Sequence, residues 1–229
     1  MKTLEGVRRR MPRWFRRYVL HFEAAIEDAA AEFGRSLAAG ALLLDAGAGE
    51  GQYRKQFSRQ RYLGIDLGIG DIGWNYSGLD AIADLQQLPL RSGSVDAAIN
   101  IVTLEHVTDP GRVLEELCRV LRREGRLLLV VPHEWEEHQQ PHDFYRYTRY
   151  GVEHLLKKAG FQSVEIRPVG GYFRLLARRI FNGLQFFPGP LVILAALVAT
   201  PAALILPLLE PLDQKQNFTL GFICLASKS

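Results

Sequence analysis

A glycine-rich loop and three aspartates are the residues of this 229-residue sequence whose types and spacing most clearly indicate binding chemistry. The apolar run at 42–44 leads into Asp-Ala-Gly-Ala-Gly-Glu-Gly at 45–51, and glycines in such a loop let the backbone approach a ligand closely. Asp66 ends the next apolar run, 21 residues after Asp45, where a carboxylate can accept hydrogen bonds from ribose hydroxyls. Asp84 follows a third short run. Acids at three successive strand ends would converge on one ligand crevice, although each could instead cap the element that follows it.

The loop is not typical of a phosphate site. A P-loop closes with Gly-Lys-Ser or Gly-Lys-Thr, and the dinucleotide fingerprint has the spacing GxGxxG, whereas this loop reads GxGxG. Glu50 in the loop would also repel a pyrophosphate at the start of the helix expected after the loop. A ligand that carries a ribose and a positive charge, but no phosphate, fits these residues better.

Histidines after the fourth and fifth predicted strands are candidates for a general base, because histidine titrates near neutral pH. His133 and His142 lie in a polar segment after the fifth strand, and His106 follows the fourth. The alternative is that they are loop residues ordered by nearby arginines. On a helix His133 and His138 would point about 140° apart, which is too far to share a metal ion. The sequence therefore predicts no metal site, with a looped His/Asp site as the alternative.

Alternating strands and helices must position these residues. Apolar segments predict strands at 41–44, 61–66, 81–83, 95–102, 126–131 and 161–166, and amphipathic segments predict helices at 110–121 and 149–159. Strands that are apolar throughout indicate a parallel sheet with both faces covered, which is a doubly wound α/β fold. A helix at 13–38 precedes this sheet, and a last strand is predicted at 218–226.

Five segments resemble the class I S-adenosylmethionine (SAM) dependent methyltransferases, and they occur in that family's order: LLLDAGAGEG (42–51), GIDL (64–67), IADLQQLPL (82–90), VDAAINIVTLEHVTDP (95–110) and LCRVLRREGRLLLVVP (117–132). The resemblance covers about residues 40–170. It implies a Rossmann-like seven-stranded sheet whose last strand is antiparallel, with SAM lying across the strand ends. It therefore also implies an enzyme that transfers the methyl group of SAM.

The resemblance also assigns to several residues a role in binding a particular portion of SAM. Asp45, Gly47 and Gly49 would flank the methionine portion, Asp66 would bind the ribose hydroxyls, Asp84 and the Leu85 amide would contact adenine, and Asn100 to Thr103 would lie under the sulfonium. Two positions depart from the family, namely Ala48, where many relatives carry cysteine, and Arg-Glu-Gly at 123–125. The motif PHDFYRYT at 141–148 resembles a bacterial subgroup that often accompanies surface-glycan or lipid pathways. A small-molecule, lipid or lipid-linked glycan acceptor is expected on that association.

An apolar insert precedes the last strand. Residues 180–209 carry no charge, and Leu191 to Leu209 is close to the roughly 20 residues that span a bilayer. The last strand must return to the sheet, so a single crossing is excluded. A second crossing would bury Arg174, Arg178 and Arg179 at about 2.5–3.5 kcal/mol each. These features predict a helical hairpin in one leaflet of the membrane. In the alternative, the hairpin covers the protein's own sheet or a second copy of the chain.

Charge and cysteine content indicate the partners and the compartment. Residues 1–20 hold seven Lys or Arg and one Glu within a chain of net charge +3, so the basicity is concentrated in this arm. Such an arm suits an anionic membrane surface or nucleic acid. The Asn/Asp-Pro-Pro-Tyr/Phe element of base-amine methylation is missing after the fourth strand, which disfavours nucleic acid. Two isolated cysteines without a CxxC pair indicate a reducing compartment, and we expect a cytoplasmic protein on the inner face of the membrane.

The predicted organisation has four parts. Residues 1–39 form the basic arm and a helix, residues 40–170 the SAM-binding core, residues 171–216 the apolar hairpin, and residues 217–229 the last strand. Two further functions stay as alternatives, namely an RNA methyltransferase that uses the basic arm, and a membrane-docked SAM-binding protein without catalysis.

Overall fold

The computed structural model describes residues 13–70 and 73–229, which fall into two units. Among the described residues, the larger unit contains 26–167 and 221–229, and the smaller contains 13–25 and 168–220. Most of the predicted basic arm, residues 1–12, lies outside the described residues.

A seven-stranded sheet forms the centre of the larger unit, with the strand order β3-β2-β1-β4-β5-β7-β6. Its strands are β1 (Leu42–Ala46), β2 (Arg61–Asp66), β3 (Ala81–Ile82), β4 (Val95–Ile101), β5 (Leu121–Pro132), β6 (Phe161–Val169) and β7 (Gly221–Lys228). β1 pairs in parallel with β2 and β4, β4 pairs in parallel with β5, and β7 pairs antiparallel with β5. The predicted fold class, a doubly wound sheet with an antiparallel last strand, is confirmed.

Two capped helices lie in the larger unit, one on each side of β5 in the chain. The first, α3 (Pro110–Val120), follows Asp109, whose Oδ1 accepts a hydrogen bond from the Arg112 amide at 3.0 Å. The second, α4 (Arg149–Lys158), follows Thr148, whose hydroxyl accepts from the Gly151 amide at 3.1 Å. Side-chain caps of this kind satisfy backbone donors that a helix start leaves unpaired. Their apolar faces join the core that covers the sheet.

The prediction of a helix directly after the glycine loop is wrong. The described chain forms only a short 3-10 helix there, Arg54–Phe57. Gly47, Gly49 and Gly51 all have positive φ angles, of 87°, 52° and 73°, so a right-handed helix cannot begin before residue 52. Few residues then remain before β2 starts at Arg61, and Phe57 is buried among them.

Several predicted boundaries also differ from the structure, among them those of the first helix and of the last strand; β5 begins at Leu121 rather than at residue 126. The helix predicted at 13–38 is two helices, α1 (Arg13–Val19) and α2 (His21–Ser36), because the Leu20 carbonyl starts a new helix by accepting from the Ala24 amide at 2.9 Å. The last strand begins at Gly221 rather than at residue 218. Before it, the Thr219 hydroxyl pairs with the backbone of Val169 at 2.9 Å, so Thr219 lies outside the strand to which it is assigned by the sequence pattern.

The smaller unit contains the insert as a helical hairpin. Helix α5 (Tyr172–Gly183) is followed by a 3-10 turn, a Pro-Gly-Pro segment and α6 (Leu191–Ile205), and the 3-10 segment Leu206–Leu212 continues α6. Two carboxylates from beyond α6 cap the start of α5. Asp213 accepts from the Tyr172 amide at 2.8 Å and Glu210 accepts from the Arg174 amide at 3.0 Å.

Candidate functional site

The glycine loop is held tightly at the carboxyl end of β1. The amides of Gly47 and Ala48 donate to the Ile65 carbonyl of β2 at 2.8 and 3.1 Å, so the loop turns back over the neighbouring strand. A Cβ atom at Gly47 would lie 2.7 Å from the Cβ of Thr103, and closer still to that residue's methyl and hydroxyl groups. With its positive φ, this position accommodates only glycine without displacement of the loop or of Thr103.

Asp66 organises the loop from the end of β2. Its two carboxylate oxygens accept hydrogen bonds from the amides of Gly49 at 2.9 Å and Gly68 at 2.7 Å. A carboxylate has lone pairs for about four hydrogen bonds, so this half-buried group keeps acceptor capacity for a ligand hydroxyl. Asp66 therefore lies where the sequence predicts a ribose-binding carboxylate.

The other two acids have different environments. Asp45 is buried and accepts a hydrogen bond from the Tyr62 hydroxyl. Burial disfavours its charged form and raises the pKa of Asp45 to about 7, against the lowering effect of that hydrogen bond. Asp84 is exposed, and its side chain accepts from the Gln86 amide at 2.8 Å. Asp84 thus caps the following 3-10 turn, which was the structural alternative for this residue.

Asn100 and Leu85 are both buried. The Asn100 side-chain amide donates to the Ala46 carbonyl at 2.7 Å and links β4 to the end of β1. Its oxygen has no hydrogen-bond partner among the residues that the structure describes. The side chain of Leu85 packs in the hydrophobic core, so its predicted contact with a ligand rests on the main-chain amide.

Two aromatic residues beside the loop were missed by the sequence analysis. The Trp74 ring lies 3.0 Å from the position of a Cβ at Gly49, and the Tyr76 hydroxyl accepts from the Gly70 amide at 2.5 Å. The two ring centroids are 6.1 Å apart. The signal was present in the sequence, because Trp74 and Tyr76 stand in the glycine-rich segment between β2 and β3.

The three candidate bases occupy separate positions after β4 and β5. His133 is half-buried, with Nδ1 2.9 Å from the Tyr147 carbonyl, so the ring donates there and keeps a free lone pair on Nε2. The side chain of His142 packs edge-on to Phe144, and its main-chain carbonyl lies 2.6 Å from His106 Nδ1. Burial lowers the pKa of His106, which favours its neutral form. His133 therefore keeps a ring nitrogen with the lone pair that a general base requires.

His106 also contacts a residue that the sequence analysis did not pair with it. His138 Nε2 lies 3.1 Å from His106 Nε2, and the buried carboxylate of Glu105 is 3.7 Å from the same His106 nitrogen. A 3-10 turn at Leu104–His106 directly after β4 positions two of these residues, and the segment after β5 positions the third. The grouping depends on tertiary proximity across 32 residues of sequence.

Known proteins resemble this chain in sequence and in fold. Residues 44–129 match the family model described as a methyltransferase domain. A tRNA (carboxymethyluridine(34)-5-O)-methyltransferase of Arabidopsis thaliana is 33% identical over 119 residues, which cover 48% of this chain and 28% of that protein. A probable S-adenosylmethionine-dependent methyltransferase of Mycobacterium tuberculosis is 27% identical over 125 residues, covering 52% of this chain and 42% of that protein. The chain thus spans less than half the length of these relatives.

Solved structures share the fold at lower identity. The phosphoethanolamine N-methyltransferase 2 of Haemonchus contortus, in complex with SAM, has a TM-score of 0.59 at 16% identity, and the match covers 89% of this chain and 52% of that one. The [4+2]-cyclase SpnF has a TM-score of 0.56 at 20% identity, over 89% of this chain and 80% of that one. Likenesses at this level of identity establish the architecture of the sheet and its covering helices.

Proposed function

We propose, from the premise that this chain carries a class I SAM-dependent methyltransferase domain, that it methylates a lipid or lipid-linked acceptor at a membrane surface. The cofactor is SAM. Methyl transfer is supported by the arrangement of Asp66 and the glycine loop. Asp66 accepts two hydrogen bonds from loop amides, and its carboxylate can still accept a hydrogen bond from a ligand at the carboxyl end of β2. The chemistry needs alignment of acceptor, methyl carbon and sulfur, and such positioning contributes about 7–11 kcal/mol.

The exposed apolar surface of the hairpin supports the membrane part of the proposal. The stretch Leu191–Leu212 is 22 residues long, and only 11% of its most apolar part is buried. Large side chains along α6 face solvent, with Leu197 69% and Val198 73% exposed. A contiguous apolar surface of this kind on a soluble protein is a site of association with membrane or protein. Inserted in a membrane interface, the same side chains would be removed from water.

Topology favours a shallow insertion over a crossing. β6 and β7 are neighbours in one sheet, so the segment between them must leave and return on one side of the membrane. The other arm of the hairpin, α5, carries Arg174, Arg178 and Arg179, and Arg178 pairs with Glu23 at 3.3 Å. Because arginine is costly at mid-bilayer, the proposed position is a hairpin in one leaflet with these residues at the headgroups.

The helix at the described N-terminus supports the same orientation. In α1, the Tyr18 hydroxyl donates to the Leu204 carbonyl at the end of α6, and Trp14 is 72% exposed. Tyrosine and tryptophan are enriched at membrane interfaces, where the ring is apolar and one end is polar. The proposed location is therefore the cytoplasmic face of the membrane, with α1 and the hairpin as the contact.

A tRNA acceptor is the second candidate, and the Arabidopsis relative favours it. The two candidates differ in what stimulates turnover of SAM to S-adenosylhomocysteine. Membrane lipid extract should stimulate it under the lipid proposal, whereas tRNA should do so under the alternative. Binding of SAM without turnover on either substrate would support the hypothesis of a membrane-docked SAM-binding protein without catalysis.

Flotation with anionic liposomes tests the membrane contact separately. The full chain should rise with the liposomes, and the double variant Leu197→Asp/Val198→Asp should stay at the bottom of the gradient. Tyr150→Asp is the matched control, because Tyr150 is a 79% exposed aromatic residue on α4 of the larger unit. Wild-type protein that stays at the bottom would refute the membrane contact and leave methyl transfer unaffected. A purified wild-type dimer that loses its second copy in the double variant would instead support a protein interface.

A further inference from the structure

We propose that Glu105, His106 and His138 bind one divalent transition-metal ion. Each offers a ligand atom, and these atoms all lie within 4.8 Å of one another. Glu105 and His106 belong to the turn after β4, and His138 comes from the segment after β5, so two loops at the carboxyl edge of the sheet supply the site.

The carboxylate of Glu105 requires a partner. Its side chain is fully buried, and neither oxygen has a hydrogen-bond partner among the residues that the structure describes. A buried acceptor left unsatisfied costs about 1–3 kcal/mol, and more when it is charged. A cation beside this carboxylate would remove that cost, because it favours the ionised form and supplies a direct ligand bond.

The two histidines present their lone pairs to each other. His106 Nδ1 lies 2.6 Å from the His142 carbonyl, and His138 Nδ1 lies 3.1 Å from the Glu136 carbonyl. Carbonyl oxygens only accept, so each Nδ1 carries the proton and each Nε2 carries a lone pair. These Nε2 atoms are 3.1 Å apart, where two lone pairs repel unless a cation or a proton lies between them.

The distances suit metal coordination. Two nitrogens bound to a tetrahedral zinc ion at about 2.0–2.1 Å are about 3.3 Å apart, close to the separation of the two Nε2 atoms. An Nδ1–H that donates to a carbonyl is also the usual outer contact of a metal-bound histidine, since it fixes the ring and its tautomer. The structure thus contains the outer contacts of both proposed histidine ligands.

A partly buried ion pair between Asp143 and Arg146 holds the loop that carries His138. Asp143 accepts from Arg146 through both oxygens at 2.7 Å and from the His138 amide at 2.9 Å. Its Oδ2 is 3.4 Å from His138 Nδ1, which adds a negative charge behind the ring and strengthens Nε2 as a ligand.

The donor set selects the class of ion. Two imidazole nitrogens and one carboxylate suit zinc, iron(II) and related first-row ions, whereas magnesium and calcium prefer oxygen ligands. Three protein ligands leave a tetrahedral ion one open position. An oxygen atom of the acceptor can occupy it, and this role rests on the proposed methyl transfer, whereas binding of the ion does not.

Metal titration of the purified full chain tests the site. After treatment with a chelator, the protein should bind about one Zn²⁺ per chain, and Co²⁺ should give the visible absorption of a tetrahedral site. Glu105→Gln and His138→Ala should each weaken Zn²⁺ binding at least tenfold. His154→Ala is the matched control, because it removes an exposed histidine on α4 outside the cluster and should leave Zn²⁺ affinity unchanged.

Two results would overturn the proposal. One is the absence of Zn²⁺ and Co²⁺ binding by the wild type. The other is equal Zn²⁺ affinity in His138→Ala, His154→Ala and wild type. In that case NMR titration of the histidines should show that a proton, not a metal ion, is shared between the two Nε2 atoms. Circular dichroism verifies that each variant is folded, and Glu105→Gln keeps the volume of the buried side chain. Affinity for S-adenosylhomocysteine is measured in the same samples, so loss of the cofactor site and loss of the metal site are distinguished.

Discussion

Replacing Gly47 with alanine separates the two reasons why the loop needs glycine there. An L-residue in the left-handed region costs about 1–2 kcal/mol, and Gly47 has a φ of 87°. The added Cβ would also overlap Thr103, and overpacking typically costs about 1–3 kcal/mol. Gly47→Ala should therefore lower the free energy of unfolding by about 2–5 kcal/mol in total.

Gly40 provides the control for the backbone contribution. Its φ is 77°, and apart from its chain neighbours no heavy atom of the described residues lies within 4 Å of a Cβ built at this position. Gly40→Ala should destabilise the protein by about 1–2 kcal/mol through the backbone alone, without affecting the cofactor. In the Gly47→Ala background, Thr103→Gly removes all the overlapping atoms and should recover the overlap cost of about 1–3 kcal/mol. Thr103→Ala should recover less, since its Cβ remains 2.7 Å away.

Urea denaturation and calorimetry with S-adenosylhomocysteine measure these effects. Relief of the overlap displaces the loop, so Gly47→Ala should lose at least tenfold in affinity for S-adenosylhomocysteine, about 1.4 kcal/mol, whereas Gly40→Ala should keep the wild-type value. Equal stability and equal S-adenosylhomocysteine affinity in Gly47→Ala and Gly40→Ala would contradict an overlap with Thr103. No recovery of stability by Thr103→Gly in the Gly47→Ala background would contradict it as well.

Three further changes test the site. Asp66→Ala removes the acceptor of two glycine amides and of the ribose, so affinity for S-adenosylhomocysteine in calorimetry should fall about 10–100-fold; unchanged affinity would refute the assignment. Burial raises the pKa of Asp45 from 3.8 to about 7. Between these two pH values the folded protein holds a proton on Asp45 that the unfolded chain has released. Its stabilising contribution is full below the unfolded pKa and is lost as the pH rises to about 7, with a slope of up to about 1.4 kcal/mol per pH unit. Asp45→Asn should remove that slope from urea unfolding measured between pH 5 and 7, and an unchanged slope would contradict the buried-carboxyl assignment. For a hydroxyl or carbon-acid acceptor, His133→Ala or His142→Ala should reduce turnover about 10²–10⁴-fold with S-adenosylhomocysteine binding retained, and full activity in both would move the base to His106.

The sheet was predictable because each of its central strands has a recognisable local sequence pattern. Buried parallel strands are apolar throughout, so β2 was predicted with its observed ends and β1, β4 and β5 were located. The last strand was harder to delimit. Its start depends on the Thr219 hydroxyl, which pairs with a residue 50 positions earlier in the chain, and no local pattern records that contact.

The sequence by itself determined the chemistry of the loop, since glycine spacing and an aspartate at the next strand end are one-dimensional signals. Only the tertiary structure decided what each acid does there. Asp66 accepts from two loop amides, Asp45 is buried against Tyr62, and Asp84 caps a turn, although all three lie at or near the carboxyl ends of strands. Burial and hydrogen-bond partners distinguish them. Asp45 pairs with Tyr62 and Asp66 with the Gly49 amide, each 17 positions away in the chain, whereas Asp84 pairs with Gln86 two residues on. The same reason explains the pairing of His106 with His138, because two loops meet only once the sheet has set β4 beside β5.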